Sequence, residues 1–170
     1  MKKSYAVCIV GLLWALFNTG CSKEKEKLAP APVEVVFGVS HIESIDIKTA
    51  GDEDFICPLD EDGNLMLPTH AEIVITSSEG VDNSFAPSVF YLSGRLYTQA
   101  IKLDPGDYMV TRFRLRAGLD GPVIMSTPAT NSPYANYITH GKTVAFPLTV
   151  EAYHKLSIST EVLCYWPGGG

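Results

Sequence analysis

The chain has little of several features that mark large protein classes. It has 4 cysteines in 170 residues, and its longest apolar run is the twelve residues 6–17. A membrane-spanning helix needs about 20 apolar residues, so that run is too short to be a permanent span. Basic residues are also few, with 13 Lys and Arg against 19 Asp and Glu, and the formal net charge is −6. This balance argues against a general nucleic-acid-binding protein, because contacts to phosphates need a basic surface.

The rest of the composition is that of a folded domain. Apolar residues make up 46% of the chain and charged residues 19%, which excludes a disordered chain. The 14 glycines follow no three-residue period, which excludes collagen. The length suits one domain with a tail.

The first residues have the layout of a secretory signal peptide. Lys2 and Lys3 form a positive start, and the apolar run Ala6–Phe17 follows them. A run of this length with these flanks is typical of the hydrophobic region of a signal peptide. We therefore expect export, with residues 1–20 as the signal.

The segment Asn18-Thr19-Gly20-Cys21 resembles the lipobox of bacterial lipoproteins, although Asn18 stands where that family usually has Leu. In that family the cysteine carries a diacyl lipid, the signal is cleaved before it, and a third acyl chain caps the new amino group. The resemblance implies lipidation at Cys21 and attachment to a membrane. The alternative is a soluble secreted protein that has a cysteine near its cleavage site.

Residues 21–32 predict a flexible tether behind the lipidated cysteine. Lys and Glu alternate over residues 23–27, and two prolines follow before residue 33, so the segment has little apolar surface to bury. The charged stretch resembles the surface-export signals of gut-type Gram-negative lipoproteins. Ser22 is not the Asp that retains lipoproteins at the inner membrane. The resemblance implies the outer membrane, with the surface-exposed and the periplasmic face both open.

Removal of the signal changes the charge and the cysteine count. The two lysines of residues 1–20 leave and no acid does, so the net charge of −6 becomes −8. One cysteine leaves with the signal and Cys21 takes the lipid, so Cys57 and Cys164 remain. Two cysteines cannot build a structural zinc site of their own. In an oxidising compartment they form either one disulfide or two separate buried thiols.

Residues 33–170 have the pattern of short β-strands separated by turns, and no sustained apolar stripe of helical period is found in them. This pattern predicts an all-β domain, a single antiparallel β-sandwich. A parallel α/β sheet is excluded because no helical crossover is available. The expected strands are residues 33–39, 42–47, 71–76, 96–103, 108–116, 123–126, 144–150 and 156–165.

The segment from Leu103 to Val110 joins two of these expected strands through Pro105-Gly106. Proline presets φ and glycine supplies a positive φ, so the pair predicts a type II turn and a hairpin. The pattern L-x-P-G-x-Y-x-V resembles prealbumin-like domains, including the regulatory-domain type that accompanies carboxypeptidases, and the lipid-anchored modules of fimbrial anchor proteins. Fibronectin type III domains have a similar motif. The resemblance implies a prealbumin-like or immunoglobulin-like β-sandwich and no particular function.

Arginines recur at every second position of the strand after this motif, at Arg112, Arg114 and Arg116. Side chains two residues apart in a strand share a face. The arginines are therefore either paired with carboxylates across the sheet or free to bind an external anion. The same alternation predicts that the opposite face carries Met109, Thr111, Phe113 and Leu115.

The segment Asn131–Tyr137 (NSPYANY) is a loop with two tyrosines and two asparagines. Aromatic faces beside amides are what sugar-binding loops use, which makes Tyr134 and Tyr137 candidate glycan contacts. The alternative is that both tyrosines anchor the loop to the domain.

No metal ion, cofactor or catalytic group is expected. Asp60, Asp62 and Asn64 alternate as at the start of an EF-hand loop, but Gly63 falls at loop position four, where that loop needs its glycine at position six, and Ala71 stands at position twelve in place of Glu. The segment predicts a hairpin turn instead. The 4 histidines are scattered, and the chain has no nucleophile elbow.

Together these features favour a lipid-anchored, non-enzymatic protein of the cell envelope. We expect a surface binding, adhesion or assembly module, or a glycan-binding accessory lipoprotein. The alternative is a periplasm-facing structural subunit of an envelope complex. The expected partners are the membrane, through the lipid, and a protein or glycan ligand, with no nucleic acid and no cofactor.

Overall fold

The structure is a computed structural model that describes residues 30–41, 57–93 and 95–164. The expected signal, Cys21, most of the tether and the expected strand 42–47 lie outside the described residues. Within them there are ten β-strands and one 3-10 helix, and no α-helix. No helix in this part of the chain is long and apolar enough to cross a membrane.

The strands and their bounds in chain order are β1 (Val33–His41), β2 (His70–Ser77), β3 (Asp82–Phe85), β4 (Val89–Leu92), β5 (Arg95–Thr98), β6 (Ile101–Leu103), β7 (Gly106–Arg116), β8 (Val123–Ser126), β9 (Phe146–Val150) and β10 (Leu156–Cys164). The 3-10 helix, Pro133–Tyr137, lies between β8 and β9.

The ten strands form one mixed sheet. Its strand order is β3-β2-β7-β8-β10-β1-β5-β4, and β6 pairs with β1 while β9 pairs with β7. The expectation of an all-β fold is confirmed. The expectation of a wholly antiparallel arrangement is wrong, because β1 and β10 pair in parallel, with Val35 opposite Leu156. Parallel neighbours need a long connection, which the many strands between β1 and β10 supply.

The sheet curls into a half-barrel. The two ends of the strand order approach each other where β4 begins, since the Val89 N–H donates to the Thr69 carbonyl at 2.8 Å and the Ala71 N–H to the Pro87 carbonyl at 2.9 Å. The hydrophobic core lies on the concave side of the curled sheet. There Phe37 of β1 meets Phe113 of β7, with ring centroids 5.4 Å apart.

Alternation within the strands supplies this core. In β1 every second residue from Val33 to Val39 is buried, and in β2 the buried partners include Ile73 and Ile75. Burying one large apolar side chain contributes about 1.5–3 kcal/mol, so these residues favour the strand conformation in which they share a face.

A β-bulge in β7 changes which residues of that strand face the core. Val74 of β2 pairs with Arg112 and the next residue, Ile75, pairs with Val110, so Thr111 is an extra residue. Val110 is fully buried while Met109 is 37% exposed. The expectation that Met109 and Thr111 share a face with Phe113 and Leu115 is therefore wrong, because Phe113 and Leu115 beyond the bulge are buried while Met109 and Thr111 are exposed.

The expected strand 96–103 is two strands. The chain leaves the sheet at Gln99-Ala100, which separates β5 from β6 and shifts the alternation. Leu96 and Thr98 are buried in β5 and Ile101 and Leu103 are buried in β6, so one unbroken alternation does not run through residues 96–103.

Pro105-Gly106 joins two separate parts of the sheet. The strand before it, β6, pairs with β1, and the strand after it, β7, pairs with β2, β8 and β9. The expectation of a hairpin is therefore wrong. The type II turn is wrong as well, since Gly63 and Gly80 are the described glycines with positive φ and Gly106 is not among them. The chain here does not fold back on itself, so no residue needs a left-handed conformation.

Candidate functional site

The three arginines of β7 lie on the outer face of the sheet, and one carboxylate of the neighbouring strand β2 lies on the same face. Glu72 lies directly opposite Arg114, and Arg112 and Arg116 lie two residues to either side of it. We call these four residues the arginine face. The pairing of β2 with β7 brings them together, and Glu72 was not identified from the sequence because its partner strand is remote in the chain.

Arg116 is the most fully bonded of the three arginines. Its Nε donates to Glu72 Oε2 at 2.9 Å, and its Nη2 donates to the same oxygen. Its Nη1 donates to the carbonyl of Gly121 at 2.8 Å. The Arg116 side chain is 28% exposed. Bonded on three nitrogens, Arg116 serves to hold Glu72 and the loop after β7 in place.

Arg112 and Arg114 are much less engaged. Arg112 Nη1 donates to Glu72 Oε1 at 3.2 Å, while Arg114 Nη1 lies 4.0 Å from that oxygen, beyond hydrogen-bond distance. Their side chains are 49% and 40% exposed. Of the five N–H donors of a guanidinium, Arg112 uses one in a hydrogen bond among the described residues and Arg114 uses none.

Glu72 is a charged group under neutral conditions. Its partial burial raises the pKa of the carboxyl, but the hydrogen bonds and charges of Arg116, with Arg112 and Arg114, outweigh burial and leave the pKa below its ordinary value. One negative charge thus faces three positive charges. The arginine face carries a surplus of two positive charges on a chain whose net charge is −6.

Hydroxyl groups and a shallow hollow surround the arginine face. Ser126 of β8 lies opposite Arg114, and the hydroxyls of Thr76 and Thr111 are 3.4 Å apart. Beside Arg116 the surface forms an open hollow of about 290 Å³, lined by Ala71, Glu72, Ala86, Arg116, Leu119 and Asp120.

The loop with Tyr134 and Tyr137 is tied to β10, on the far side of β8 from β7. Both tyrosines are half-buried, and each makes an interaction within the protein. The hydroxyl of Ser132 caps the 3-10 helix by accepting the Tyr134 N–H at 3.2 Å. The tyrosines lie in the 3-10 helix between β8 and β9 and the arginines lie on β7, so the two candidate groups are on different elements of the fold.

A buried carboxylate fastens this loop. Glu161 of β10 is 3% exposed, and its two oxygens accept the N–H groups of Thr139 at 2.7 Å and His140 at 2.9 Å. Gly141 follows, and a Cβ there would lie 2.6 Å from the Glu161 nitrogen, so the loop packs directly on the strand backbone. Sequence reasoning missed Glu161, although a single acid in an apolar last strand was a signal.

Cys57 and Cys164 form a disulfide in the structure, with their Cα atoms 4.7 Å apart. The bond is the first of the two alternatives that the sequence left open. Cys164 ends β10 and is buried, while Cys57 packs against the core from the segment before β2. The bond ties that segment to the last strand.

The Asp60 segment forms a hairpin turn. Asp60 Oδ1 accepts the N–H groups of Asp62 at 3.0 Å and Asn64 at 2.8 Å. Gly63 has a φ of 81° at the tip, and Leu59 pairs with Leu65 across the turn. The Asp60 carboxylate shapes the turn. The described residues contain no group of three His, Cys, Asp or Glu side chains arranged to hold a metal ion.

The terminal strand β4 exposes three large apolar side chains. Phe90, Tyr91 and Leu92 are 46%, 50% and 58% exposed. Phe90 stacks on Tyr97 of β5 with ring centroids 6.2 Å apart, and burial raises the pKa of Tyr91. None of the strands expected from the sequence covers residues 89–92.

The sequence matches no protein-family profile and no curated protein. A solved structure to which the chain is similar is that of a leucine-rich repeat protein from Bacteroides thetaiotaomicron VPI-5482, at 17% sequence identity and a TM-score of 0.42. The match covers 78% of this chain and 14% of that chain. At this score the likeness identifies neither a fold family nor a function.

Proposed function

We propose that the protein is a lipid-anchored, non-enzymatic binding module of the cell envelope, attached to the outer membrane through Cys21. The signal-like residues 1–20 and the lipobox-like Gly20-Cys21 support the anchor. Residues 21–32 serve as the tether, and residues from 33 onward form the binding domain. Several acyl chains hold a protein at a membrane stably, since each buried CH₂ contributes about 0.8 kcal/mol.

The arginine face is the observation that carries this proposal. An exposed pair of guanidinium groups with spare donors is a binding surface ready for a ligand. The sheet fixes the backbone of these arginines and Arg116 fixes the carboxylate between them, so the charged surface is formed before a ligand binds. Preorganisation of this kind lowers the cost of binding.

The finer fold assignment belongs to the same proposal: a prealbumin-like or immunoglobulin-like β-sandwich. The contact between Phe37 of β1 and Phe113 of β7 supports two packed layers. The Tyr108 hydroxyl donates to the Asp104 carbonyl at 2.9 Å. A tyrosine bonded to backbone a few residues upstream is the corner contact of such sandwiches.

A second candidate function is assembly by strand addition, as expected for a structural subunit of an envelope complex. The observation that favours it is β4, which ends the strand order and exposes Phe90, Tyr91 and Leu92. A terminal strand of a sheet can pair with an extended segment of a partner. A subunit of this kind would face the periplasm.

Protease treatment of intact cells separates these functions. A surface-displayed binding module is degraded on intact cells, whereas a periplasm-facing subunit is degraded only after the outer membrane is permeabilised. Cys21→Ser is expected to abolish labelling by a fatty-acid analogue and to release the protein from the membrane or leave its signal uncleaved. Cys8→Ser, which changes a cysteine of the signal, is the matched control and should label normally. Unchanged labelling of Cys21→Ser would refute the anchor.

A further inference from the structure

We propose that Arg112 and Arg114 bind the acidic groups, carboxylate or sulfate, of an extended polysaccharide. This inference rests on the proposed function and names the ligand of the same site. It starts from the unequal bonding of the three arginines. Arg116 is bonded on Nε, Nη1 and Nη2, whereas Arg112 makes one hydrogen bond to Glu72. Arg114 comes no closer than 4.0 Å to that carboxylate.

The carboxylate of Glu72 shows which ligand chemistry the face accepts. It already lies among three guanidinium groups as one planar oxyanion. It balances one of their three charges, and the described residues place no second carboxylate within 4 Å of the three guanidinium groups, with Asp120 further away in the adjoining hollow. Guanidinium donors match carboxylate and sulfate oxygens in geometry and form charge-assisted hydrogen bonds with them. Two further oxyanions from outside, one for each of the two remaining charges, would complete the charge balance.

The position of the face separates it from the anchoring membrane. The chain enters the domain at Ala31–Glu34, beside Lys102 and the turn between β9 and β10. Gly106, the start of β7, pairs with Val150 at this end. Strands rise about 3.3 Å per residue, so Arg112 and Arg116 lie about 20 and 33 Å further along β7. The arginine face therefore lies away from the point where the tether enters the domain, where a ligand outside the membrane can reach it.

The neighbours of the arginines favour a sugar polymer over other polyanions. Ser126 of β8 places a hydroxyl group opposite Arg114, and a hydroxyl both donates to and accepts from sugar hydroxyls. The hydroxyls of Thr76 and Thr111 donate to Asp82 and to the Val74 carbonyl, so both can still accept from a sugar. Adjacent arginines on one face of a strand stand about 6.6 Å apart, which suits charges repeated along an extended chain. Nucleic acid carries one charge per about 1.7 Å and needs many more basic contacts than two.

The test measures binding of the full-length lipoprotein, in neutral detergent micelles, to dextran sulfate, polygalacturonate and uncharged dextran. We expect binding to one or both acidic polymers and none to uncharged dextran. The double variant R112Q/R114Q should bind about tenfold more weakly or worse, because two charge-assisted contacts are lost. The matched control R95Q/K102Q removes the same net charge from exposed positions of β5 and β6 and should stay close to the wild type.

A second variant gives a change in the opposite direction. Glu72→Gln removes the internal competitor and should tighten binding of the acidic polymers severalfold, since a third guanidinium loses its counter-charge. Circular dichroism checks that each variant is folded. Equal weakening of R112Q/R114Q and R95Q/K102Q would overturn the site, because net charge alone would then explain binding.

Two further probes decide the ligand class. Polyglutamate and vesicles of phosphatidylglycerol with phosphatidylcholine carry the same kind of charge on a peptide and on a membrane. Tighter binding of either one than of both acidic polysaccharides would overturn the sugar assignment. If no probe binds although Cys21 is acylated, the site is wrong and the anchor stands. If binding depends on the arginines but Cys21 is unmodified, the anchor is wrong and the site stands.

Discussion

Loss of the Cys57–Cys164 disulfide is expected to lower the free energy of unfolding by about 4–5 kcal/mol. The bond joins residues 107 apart in sequence. In the chain-entropy model, closing a loop of about 100 residues removes enough freedom from the unfolded chain to account for about 4.7 kcal/mol. The Cα separation of 4.7 Å lies within the range of ordinary disulfides. We therefore expect the full entropic benefit.

The assay is unfolding in guanidinium chloride, followed by circular dichroism. The double variant Cys57→Ala/Cys164→Ala should unfold at a much lower denaturant concentration than the wild type. A reductant should lower the unfolding midpoint of the wild type to that of the double variant. The single variant Cys57→Ala loses the same cross-link and should resemble the double variant. Labelling of the denatured, unreduced wild type should find no reactive thiol at these positions. Two reactive thiols, or equal midpoints for wild type and double variant, would refute the reasoning.

Three other predictions concern single contacts. Tyr108→Phe removes the hydroxyl bond to the backbone four residues upstream and should cost about 1 kcal/mol in denaturant unfolding; an unchanged midpoint would contradict that. Gly141→Ala places a Cβ 2.6 Å from the backbone of Glu161 and should lower the melting temperature far more than Gly118→Ala, whose Cβ meets ordinary contacts. Equal melting temperatures would refute this close packing. The pKa of Glu72 is lowered in the folded state, so its stabilising effect is present above its ordinary pKa and is lost as the pH falls through the lowered one. Melting temperatures measured as a function of pH should therefore fall less at acidic pH in Glu72→Gln than in the wild type.

Alternation of apolar and polar residues predicts strands well where one face of the strand is buried and the other is exposed to solvent. β1, β2 and the second half of β7 were found for this reason. β3 and β4 were missed, since Asp82–Phe85 is almost wholly polar and Val89–Leu92 is wholly apolar, and neither shows a period of two. The parallel pairing of β1 with β10 joins the two ends of the domain, and no local pattern encodes such a partner.

The arginines of the candidate site could be predicted from the sequence, and their carboxylate partner could not. Period two placed three arginines on one face because that rule is local to a single strand. It could not supply Glu72, whose position opposite Arg114 depends on the register of β2 against β7. The same rule could not predict the β-bulge at Thr111, because a threonine is compatible with either the buried or the exposed face of a strand. The Pro-Gly turn was misjudged because its two residues also suit a link between separate parts of a sheet.

The central claim, a binding module held at the envelope by a lipid on Cys21, is tested most directly by mass spectrometry of the N-terminal peptide of the mature protein from the membrane fraction. The account predicts that this peptide begins at Cys21 and carries the mass of a diacylglyceryl group, with or without a further acyl chain on its amino group. A mature protein that begins at another residue, or an unmodified Cys21, would contradict it.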